Sequence, residues 1–390
     1  MHIVIAFINI GPYHLARLKG AEIELTKENH KLSAIQLTDD SLEHPWGEIN
    51  NYLNCKIHTL IPVLKGTDKN SKKNLPIVEQ KKVNKLLERL SPDLIFIPGW
   101  AFDLSKKIKN WAKVNNIKLA LMSESKENDK KRFIISELYK KYFVLPSYSA
   151  AIVGGEIHAK YLQQLGMLKN KIFFGYDIVD NEFFRLEANK SRSNRLSVLK
   201  GFKNLPDEPF FMSAFRLIKR KNAKNMLIAY KEYLNSIGNS SWNLVICGNG
   251  EQFNELNELC LELEIINKVK FLGFLDYYQL ATLYGLASCF IHPAFSEQWG
   301  LVINEACASG IPILSSKTVA ASSELVKDKY NGYLFDPYNI KSISNSMIKI
   351  TNLTKAEREC MGENSQILVS NFNYETFGKS ILEIISLVNT

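Results

Sequence analysis

Short apolar segments alternate with helical stretches along the whole chain, and this alternation limits the fold more than any other feature. The first half has strand-like runs at residues 1–8, 32–37, 56–61, 93–98, 117–122, 150–153 and 171–174. The second half has further runs at 209–214, 242–247, 268–272, 287–292, 311–314 and 332–335. Strands that alternate with helices form parallel sheets covered on both faces. The sequence therefore predicts an α/β protein with parallel sheets.

Length and a change of composition divide the chain into two domains. At 390 residues it is long enough for two domains that each bury their own core. Between residues 175 and 208 the sequence becomes polar and irregular. We therefore predict an N-terminal domain over residues 1–180, a basic linker or hinge over 181–204, and a C-terminal domain over 205–373.

The composition disfavours several classes of protein. A hydrophobic fraction of 46% with 23% charged residues is typical of a soluble globular protein. The sequence contains no run of about 18 apolar residues, so we expect no membrane-spanning helix. The segment Met1–Ile8 lacks a basic leader and predicts a core strand, not a signal peptide. The 6 cysteines lack Cys-x-x-Cys spacing, which favours buried thiols in a reducing cytoplasm over disulfides or a zinc site.

The net charge of +9 is concentrated in two lysine- and arginine-rich segments, residues 65–85 and 185–203. Two interpretations of these segments stay open. They are solvated surface loops, or they attract the chain to an anionic membrane or an anionic lipid-linked acceptor. Nucleic acid is not an expected partner, because the segments lack interleaved aromatic residues and no known binding motif is present.

Two glutamates eight positions apart, Glu297 and Glu305, flank the start of a predicted helix. A buried-strand pattern over 287–292 precedes them, and Gly300 allows a tight turn into the helix at Leu301. The backbone N–H groups and positive dipole of a helix N-terminus suit a pyrophosphate. Glu305 lies deeper, where its carboxylate is placed to accept hydrogen bonds from a ribose.

This loop and helix resemble the Glu-x7-Glu element of the retaining family-4 glycosyltransferases. The resemblance implies the GT-B fold, in which two Rossmann-like domains with parallel sheets face each other. It assigns acceptor binding to the N-terminal domain and nucleotide-sugar binding to the C-terminal domain. It further implies that a C-terminal helix, residues 374–390 here, crosses back to pack on the N-terminal domain. It covers residues 208–340 closely and the remainder only by fold pattern.

Three more segments resemble the donor site of that family. Arg216 and Lys221 match an Arg-x4-Lys pair that binds the donor diphosphate in that family. The planar guanidinium of arginine and the mobile ammonium of lysine can together neutralise a leaving nucleoside diphosphate. The turn at Gly248 and Gly250 matches the family's Gly-x-Gly turn. The residues Gly273 and Phe274 match the segment that frames the nucleobase. With Glu297 assigned to the reacting sugar, the implied catalytic set is Glu297, Arg216 and Lys221.

Two absences narrow the chemistry further. Phe253 stands where a dinucleotide-binding fingerprint needs its third glycine, and the loop 9–14 also lacks that fingerprint, which disfavours an NAD-dependent oxidoreductase. The chain has no Asp-x-Asp pair, the element that holds a divalent metal in glycosyltransferases of the other common fold. We therefore expect transfer without a metal or cofactor, with fixed positive charge stabilising the diphosphate.

The acceptor side is less clearly indicated. Loops after predicted strands of the N-terminal domain contribute Gly11, His14, Trp100, Glu124 and His158 as candidate acceptor contacts. Many family members have a histidine in the loop where this chain has Ser-Glu-Ser around Glu124. Both histidines can instead be structural, and Trp100 can be a packed loop aromatic or a sugar-stacking ring.

These observations predict a cytoplasmic, retaining glycosyltransferase acting at the inner face of the membrane. We expect it to transfer a hexosyl group from a nucleotide donor, a UDP-sugar, to a hydroxyl of a cell-surface glycan or a lipid-linked acceptor. Two alternatives stay open: another GT-B enzyme such as a sugar-nucleotide epimerase or a phosphorylase, and a catalytically silent module that binds sugar nucleotides or membranes.

Overall fold

The computed structural model describes residues 1–39, 53–62, 75–129, 132–202 and 205–389. The chain divides into two compact units. The first unit comprises Met1–Val179 together with Phe372–Thr390, and the second comprises Asp180–Asn371. Each unit contains one parallel sheet with helices around it.

The first unit is built on a seven-stranded parallel sheet. Its elements are β1 His2–Phe7, α1 Pro12–Lys27, β2 Lys31–Thr38, β3 Lys56–Ile61, α2 Gln80–Leu90, β4 Leu94–Pro98, α3 Asp103–Val114, β5 Lys118–Ser123, α4 Ile134–Tyr139, β6 Ala150–Val153, α5 Glu156–Gln164 and β7 Ile172–Phe174. Short 3-10 or π turns lie at Glu127–Asp129, Lys140–Val144, Leu145–Ser147 and Lys169–Lys171. The strand order β3-β2-β1-β4-β5-β6-β7 reverses direction between β1 and β4.

The second unit is built on a six-stranded parallel sheet. Its elements are α6 Asn181–Ser193, α7 Arg195–Gly201, β8 Phe210–Ala214, α8 Ala223–Ile237, β9 Asn243–Cys247, α9 Phe253–Glu262, β10 Val269–Gly273, α10 Tyr277–Leu286, β11 Cys289–His292, α11 Leu301–Ala308, β12 Ile313–Ser316, α12 Ala320–Leu325, β13 Gly332–Phe335, α13 Ile340–Thr351 and α14 Lys355–Val369. Short 3-10 turns lie at Lys219–Lys221 and Gly238–Ser240. The order β10-β9-β8-β11-β12-β13 reverses between β8 and β11.

The central strands are buried on both faces, which explains their nearly continuous apolar sequences. Every residue of β1 and β8 is buried. In the first unit the two faces of the sheet belong to two separate apolar clusters, so helices cover the sheet on each side. The thirteen strands predicted from the sequence all form, and the predicted parallel sheets are confirmed.

The last helix, α15 Tyr374–Asn389, belongs to the first unit and packs against α1. The two helices cross where both have a glycine. A Cβ atom at Gly20 would lie 1.8 Å from the carbonyl oxygen of Tyr374, and one at Gly378 would lie 2.2 Å from that of Gly20. The buried face of α15 includes Phe377 and Ile381, and each such side chain contributes about 1.5–3 kcal/mol to folding.

The linker predicted over residues 181–204 is wrong for the residues that the structure describes there. They form α6 and α7 within the second unit. The segment looks irregular in sequence because the buried side of α6 is narrow, with Phe184, Ala188 and Ser191 as its buried residues. Two of its arginines have structural partners: Arg192 donates a hydrogen bond to the Gly310 carbonyl (3.3 Å), and Arg195 donates one to the Leu286 carbonyl (2.7 Å).

Within the described ranges, no helix has the length and apolar character needed to cross a bilayer. All six cysteines lie in those ranges and are free thiols. Five of them are buried, and Cys360 is exposed. Of the first basic segment, residues 65–74 lie outside the described residues, as does Lys203 of the second.

Candidate active site

The candidate site lies at the carboxyl edge of the second sheet, where the strand order reverses. Parallel α/β sheets bind ligands at this position because the loops of adjacent strands diverge there and leave a crevice. The two loops concerned are residues 215–222, which follow β8, and residues 293–300, which follow β11. Lys221 and Glu297 lie in these two loops.

Backbone and amide hydrogen bonds fasten the two loops to each other. The N–H of Phe295 donates to the carbonyl of Arg220 (3.0 Å). The buried Asn222 side chain donates to the carbonyls of Pro293 and Pro337, each at 2.9 Å. Asn222 has a left-handed backbone (φ 60°), which asparagine tolerates better than most residues. The positions of the basic side chains relative to Glu297 are therefore fixed by the backbone.

Glu297 is buried and forms the centre of a charged cluster. Lys221 donates to its Oε1, and Arg220 donates to its Oε2 at 2.5 Å. His292, at the end of β11, places Nε2 3.3 Å from the same Oε1. Arg220 also donates to the carbonyl of Ser296 (2.6 Å). One carboxylate thus holds two cations and an imidazole at the sheet edge.

The protonation of this cluster follows from burial and charge. Burial raises the pKa of Glu297, but the His292 hydrogen bond and the charge of Lys221 outweigh it, so the net pKa lies well below the usual range. Burial lowers the pKa of Lys221, and Glu297 opposes that change. Burial also lowers the pKa of His292. We conclude that Glu297 is ionised and His292 neutral near neutral pH.

Of the predicted diphosphate pair, the structure brings Lys221 to Glu297 and places Arg216 nearby. Arg216 is half-buried and lies close to Lys221. Burial lowers the pKa of Lys221 and Glu297 raises it, and the charges of Arg220 and Arg216 make smaller contributions that lower it. Arg220, which the sequence analysis did not select, makes the direct contact with Glu297. Three cations therefore concentrate positive charge at this edge, as an anionic ligand requires.

The two glycines of the Gly-x-Gly turn are required by close backbone packing. A Cβ at Gly248 would lie 2.0 Å from the carbonyl oxygen of Phe215, and one at Gly250 would lie 2.4 Å from that of Leu217. Gly248 also has a φ of 123°, which favours glycine. The turn after β9 is thus pressed against the loop that contains Arg216. Beside it, Gly273 ends β10, and its carbonyl accepts from the N–H of Gly248 (2.6 Å).

Phe274 follows Gly273 and is 44% exposed. Gly273 has a positive φ of 70°, so the chain turns sharply before this ring. The structure therefore places a partly solvated aromatic ring immediately after the carboxyl end of β10. Its contact with a nucleobase stays a prediction.

The helix α11 begins after Gly300, whose φ of 108° favours glycine, with Leu301 as its first residue. Trp299 is buried next to this turn, and its indole N–H donates to the side-chain oxygen of Asn304 (2.8 Å). One turn further, Glu305 is fully buried, and its Oε2 accepts a hydrogen bond from the hydroxyl of Tyr284 (2.9 Å). The role of Glu305 in ribose binding stays a prediction.

In the first unit, Gly11, Trp100 and Glu124 lie in the loops that follow β1, β4 and β5, whereas His14 and His158 lie in the first turns of α1 and α5. Gly11 follows β1 and precedes α1, and its N–H donates to Nδ1 of His14 (3.0 Å). The same contact occurs at the start of α5, where Nδ1 of His158 accepts from the N–H of Gly155 (3.1 Å). Both histidines therefore cap helices. His158 is fully buried, so its ring is not accessible to an acceptor, whereas His14 is half-buried.

The other two acceptor candidates also have structural contacts. Trp100 packs against the apolar core of the first unit, with the ammonium group of Lys140 6.0 Å from the ring centroid. Glu124 lies close to the fully buried Asp177. Burial and the charge of Glu124 raise the pKa of Asp177, and Arg17, 3.4 Å away, opposes this rise.

Four residues of the site were missed by sequence reasoning: Arg220, Asn222, Tyr284 and His292. A signal existed for Arg220, which lies in the basic run after β8, and for His292, which ends a buried strand at the sheet edge. Asn222 and Tyr284 act through contacts distant in sequence, which no local pattern predicts. Within the described part of the chain, no group of three or more His, Cys, Asp and Glu side chains is placed to hold a metal ion.

The charged cluster predicts a dependence of stability on pH. Because the pKa of His292 in the folded chain lies below its ordinary 6.5, the unfolded chain takes up a proton first as the pH falls, and the free energy of unfolding decreases. Between about pH 7 and about pH 5, we expect the free energy of unfolding of His292→Gln to decrease by about 1 kcal/mol less than that of the wild type. Below the ordinary pKa of 4.5, the depressed pKa of Glu297 adds a further loss in both proteins. Urea unfolding at the two higher pH values checks this prediction, and equal losses in both proteins would contradict it.

A protein-family model matches most of the second unit. The family described as "Glycosyl transferases group 1" matches residues 199–368. An uncharacterized glycosyltransferase of Methanocaldococcus jannaschii is 29% identical over 161 residues, covering 41% of this chain and 40% of that protein. The alpha-monoglucosyldiacylglycerol synthase of Streptococcus pneumoniae is 29% identical over 155 residues, covering 40% of this chain and 34% of that protein. The chain thus spans less than half the length of these relatives.

Among solved structures, the Anabaena protein HepE in complex with UDP and glucose aligns over 99% of both chains with a TM-score of 0.71 and 18% identity. At this identity the similarity shows the fold alone, which is GT-B, as the sequence predicted. The matched residues, 199–368, include every donor-site candidate from Arg216 to Glu305. The chain therefore has the GT-B fold, and its residues 199–368 match the glycosyl transferases group 1 family.

Proposed function

We propose that the chain is a retaining, metal-independent glycosyltransferase that moves a hexosyl group from a nucleotide sugar, UDP-linked, to a hydroxyl group. The main support is the cluster at the reversal point of the second sheet. There Lys221 and Arg220 are held on the buried Glu297, with Arg216 nearby. The family match over the same residues supports a glycosyl donor as the anion that these cations bind.

The donor diphosphate would bind to Arg216, Arg220, Lys221 and the N–H groups at Gly300 and Leu301. Arginine forms bidentate hydrogen bonds with phosphate oxygens, and lysine supplies a compact charge. Glu297 holds the two cations in place before the donor binds, which reduces the reorganisation needed in the transition state. Its carboxylate would then share them with the diphosphate and contact hydroxyls of the sugar.

In the transfer step, the bond between the anomeric carbon and the diphosphate oxygen breaks, and the acceptor oxygen bonds to the same carbon. The acceptor proton passes to the departing diphosphate oxygen. Because attack occurs on the face from which the diphosphate leaves, the anomeric configuration is retained. In this scheme no protein side chain acts as a nucleophile, and the cationic cluster stabilises the charge that develops on the leaving group.

The acceptor would be a cell-surface glycan or a lipid-linked saccharide, bound by the loops of the first unit. Gly11, His14, Trp100 and Glu124 are the proposed contacts, because they lie in or just after the loops that follow the adjacent strands β1, β4 and β5. If His14 is neutral, its Nδ1 accepts from the backbone, which leaves the proton on Nε2 as a donor. We further propose that the chain acts in the cytoplasm at the inner face of the membrane.

Metal independence leads to a direct prediction. Since Lys221, Arg220 and Arg216 provide fixed positive charge where a metal would otherwise act, turnover should survive EDTA in excess with less than about a twofold loss. Initial rates before and after chelation, with added magnesium as the control, measure this. Loss of turnover on chelation that magnesium restores would contradict the proposal.

The stereochemistry of the product tests the mechanism. An α-linked nucleotide sugar should give an α-linked product, which proton NMR of the anomeric signal on a defined acceptor detects. A β-linked product would place the chain among inverting enzymes and would refute the same-face step. Formation of a new free sugar nucleotide or a sugar phosphate would instead favour an epimerase or a phosphorylase.

A further inference from the structure

A short helical segment of the first unit exposes an unusual number of apolar side chains. It consists of Phe133, α4 and the π turn Lys140–Val144. Ile134 and Ile135 are 80% and 83% exposed. The other exposed apolar residues of the segment are Phe133, Leu138, Tyr139, Tyr142 and Phe143. Residues 134, 138 and 142 and residues 135, 139 and 143 recur at the four-residue spacing that aligns side chains on one face of a helix.

Two charged side chains of the same segment, Glu137 and Lys140, face the protein. Glu137 accepts hydrogen bonds from the hydroxyl of Tyr161 (2.7 Å) and from Lys140 (2.5 Å), and Lys140 also donates to that hydroxyl (3.1 Å). Tyr161 itself is only 2% exposed. A surface helix of a globular protein normally has the opposite orientation, with its apolar face on the core. This segment is therefore attached by its polar side and presents its apolar side outward.

The electrostatics around the exposed face are positive. Two acidic side chains next to it are paired with cations, Glu137 with Lys140 and Asp129 with Arg132 (2.7 Å). Lys141 is exposed, with its ammonium group 5.7 Å from the ring of Tyr142. On the neighbouring α3, Lys109 donates to the carbonyl of Phe143 (3.3 Å).

Lys113 of α3 contributes a further positive charge close to Lys109. Burial lowers the pKa of Lys109, and the charge of Lys113 lowers it further. An apolar helical face with tyrosine and phenylalanine, bordered by lysines, has the composition that inserts into the headgroup region of an anionic bilayer. Tyrosine suits this depth because its ring is apolar and its hydroxyl polar.

We propose that residues 133–143 form a docking surface for an anionic lipid bilayer, with the apolar face inserted among the headgroups and Lys141 and Lys109 near lipid phosphates. The surface differs from the basic segment 185–203, whose Arg192 and Arg195 hold the second unit together. The inference names the surface for the membrane contact in the proposed function, and it does not depend on turnover. Vesicle binding without sugar transfer would contradict the proposed function alone. Sugar transfer without vesicle binding would contradict the docking surface alone.

The test is flotation of the purified full chain with vesicles of phosphatidylcholine alone and of phosphatidylcholine mixed equally with phosphatidylglycerol. The wild-type chain should float with the mixed vesicles and less with the neutral ones. The double variant Ile134→Ser/Ile135→Ser should reduce the bound fraction roughly tenfold. Lys141→Glu should weaken binding to the mixed vesicles and leave binding to the neutral ones unchanged.

The matched control is Leu196→Ser/Ile367→Ser in the second unit, since these side chains are 70% and 59% exposed. It should float as the wild type does, and circular dichroism should show all variants folded. Wild-type binding by Ile134→Ser/Ile135→Ser, or no binding of the wild type to mixed vesicles, would overturn the proposal. A concentration-dependent dimer that the same double variant abolishes, without vesicle binding, would make the surface an interface between copies of this chain.

Discussion

Replacing Glu297 by glutamine is expected to reduce turnover by about 10²–10³-fold while UDP affinity stays within roughly twofold or increases. The reason is the position of the carboxylate, which is buried between Lys221, Arg220 and His292. It orients the cations and contacts the sugar, so its loss affects the transition state. It also competes with phosphate for those cations, so its loss does not weaken nucleotide binding. Steady-state kinetics and calorimetry with UDP measure the two effects.

Glu305→Gln is the matched variant, because it removes a second buried carboxylate eight residues away. If Glu305 serves the ribose, UDP affinity should fall by about 1.5 kcal/mol, roughly tenfold, with a smaller effect on turnover of the bound donor. Loss of UDP affinity in both variants to the same extent would show that the two glutamates do not have separate roles.

Lys221→Ala should weaken binding of the nucleotide sugar and of UDP together, by about 1.5–3 kcal/mol. Lys221 is largely buried beside Glu297, so its ammonium group acts on a bound phosphate in surroundings with little water. Because donor and UDP share the diphosphate, the loss should be equal for both. Calorimetry with UDP and inhibition kinetics with the donor measure it.

Lys219→Ala is the control for Lys221→Ala. It removes the same charge from the same loop, but Lys219 is exposed. We expect less than about a twofold change in UDP affinity, since screening by salt weakens exposed charges. Equal losses in both variants would indicate a diffuse electrostatic attraction without a specific phosphate contact. Unchanged affinity in Lys221→Ala would remove Lys221 from the phosphate site.

The arrangement of strands was predictable because burial on both faces leaves a local signal. A strand such as β8, with all of its residues buried, needs a continuous apolar run, and such runs can be located without knowledge of their neighbours. The Gly-x-Gly turn was also visible, because glycine is the residue that permits close approach of the backbone at Gly248 and Gly250.

The helix over 181–193 was missed because its buried side is narrow, so its sequence is mostly polar like that of a linker. Arg192 and Arg195 looked like surface charge, yet both donate to backbone carbonyls distant in sequence. The choice between Arg216 and Arg220 as the partner of Glu297 depends on how the loop after β8 turns at Asn222. That turn is set by hydrogen bonds to residues more than 70 positions away.

For the two candidate histidines of the first unit, His14 and His158, the sequence analysis left a structural and a ligand-binding interpretation open. His14 and His158 each follow a glycine by three residues, and each ring accepts the N–H of that glycine at the start of a helix. This spacing is a local pattern that predicts a cap. For His158, full burial excludes any role at an accessible surface.

The central claim is that the cluster around Glu297 activates a nucleotide sugar. The most direct test incubates the purified chain with UDP-, GDP- and ADP-linked hexoses and measures release of the nucleoside diphosphate, with Glu297→Gln as the matched variant. We predict slow release from a UDP-linked sugar by the wild type and at least roughly a hundredfold less by Glu297→Gln. Release from none of the donors by a wild-type chain that binds UDP would contradict the claim and identify a sugar-nucleotide-binding module.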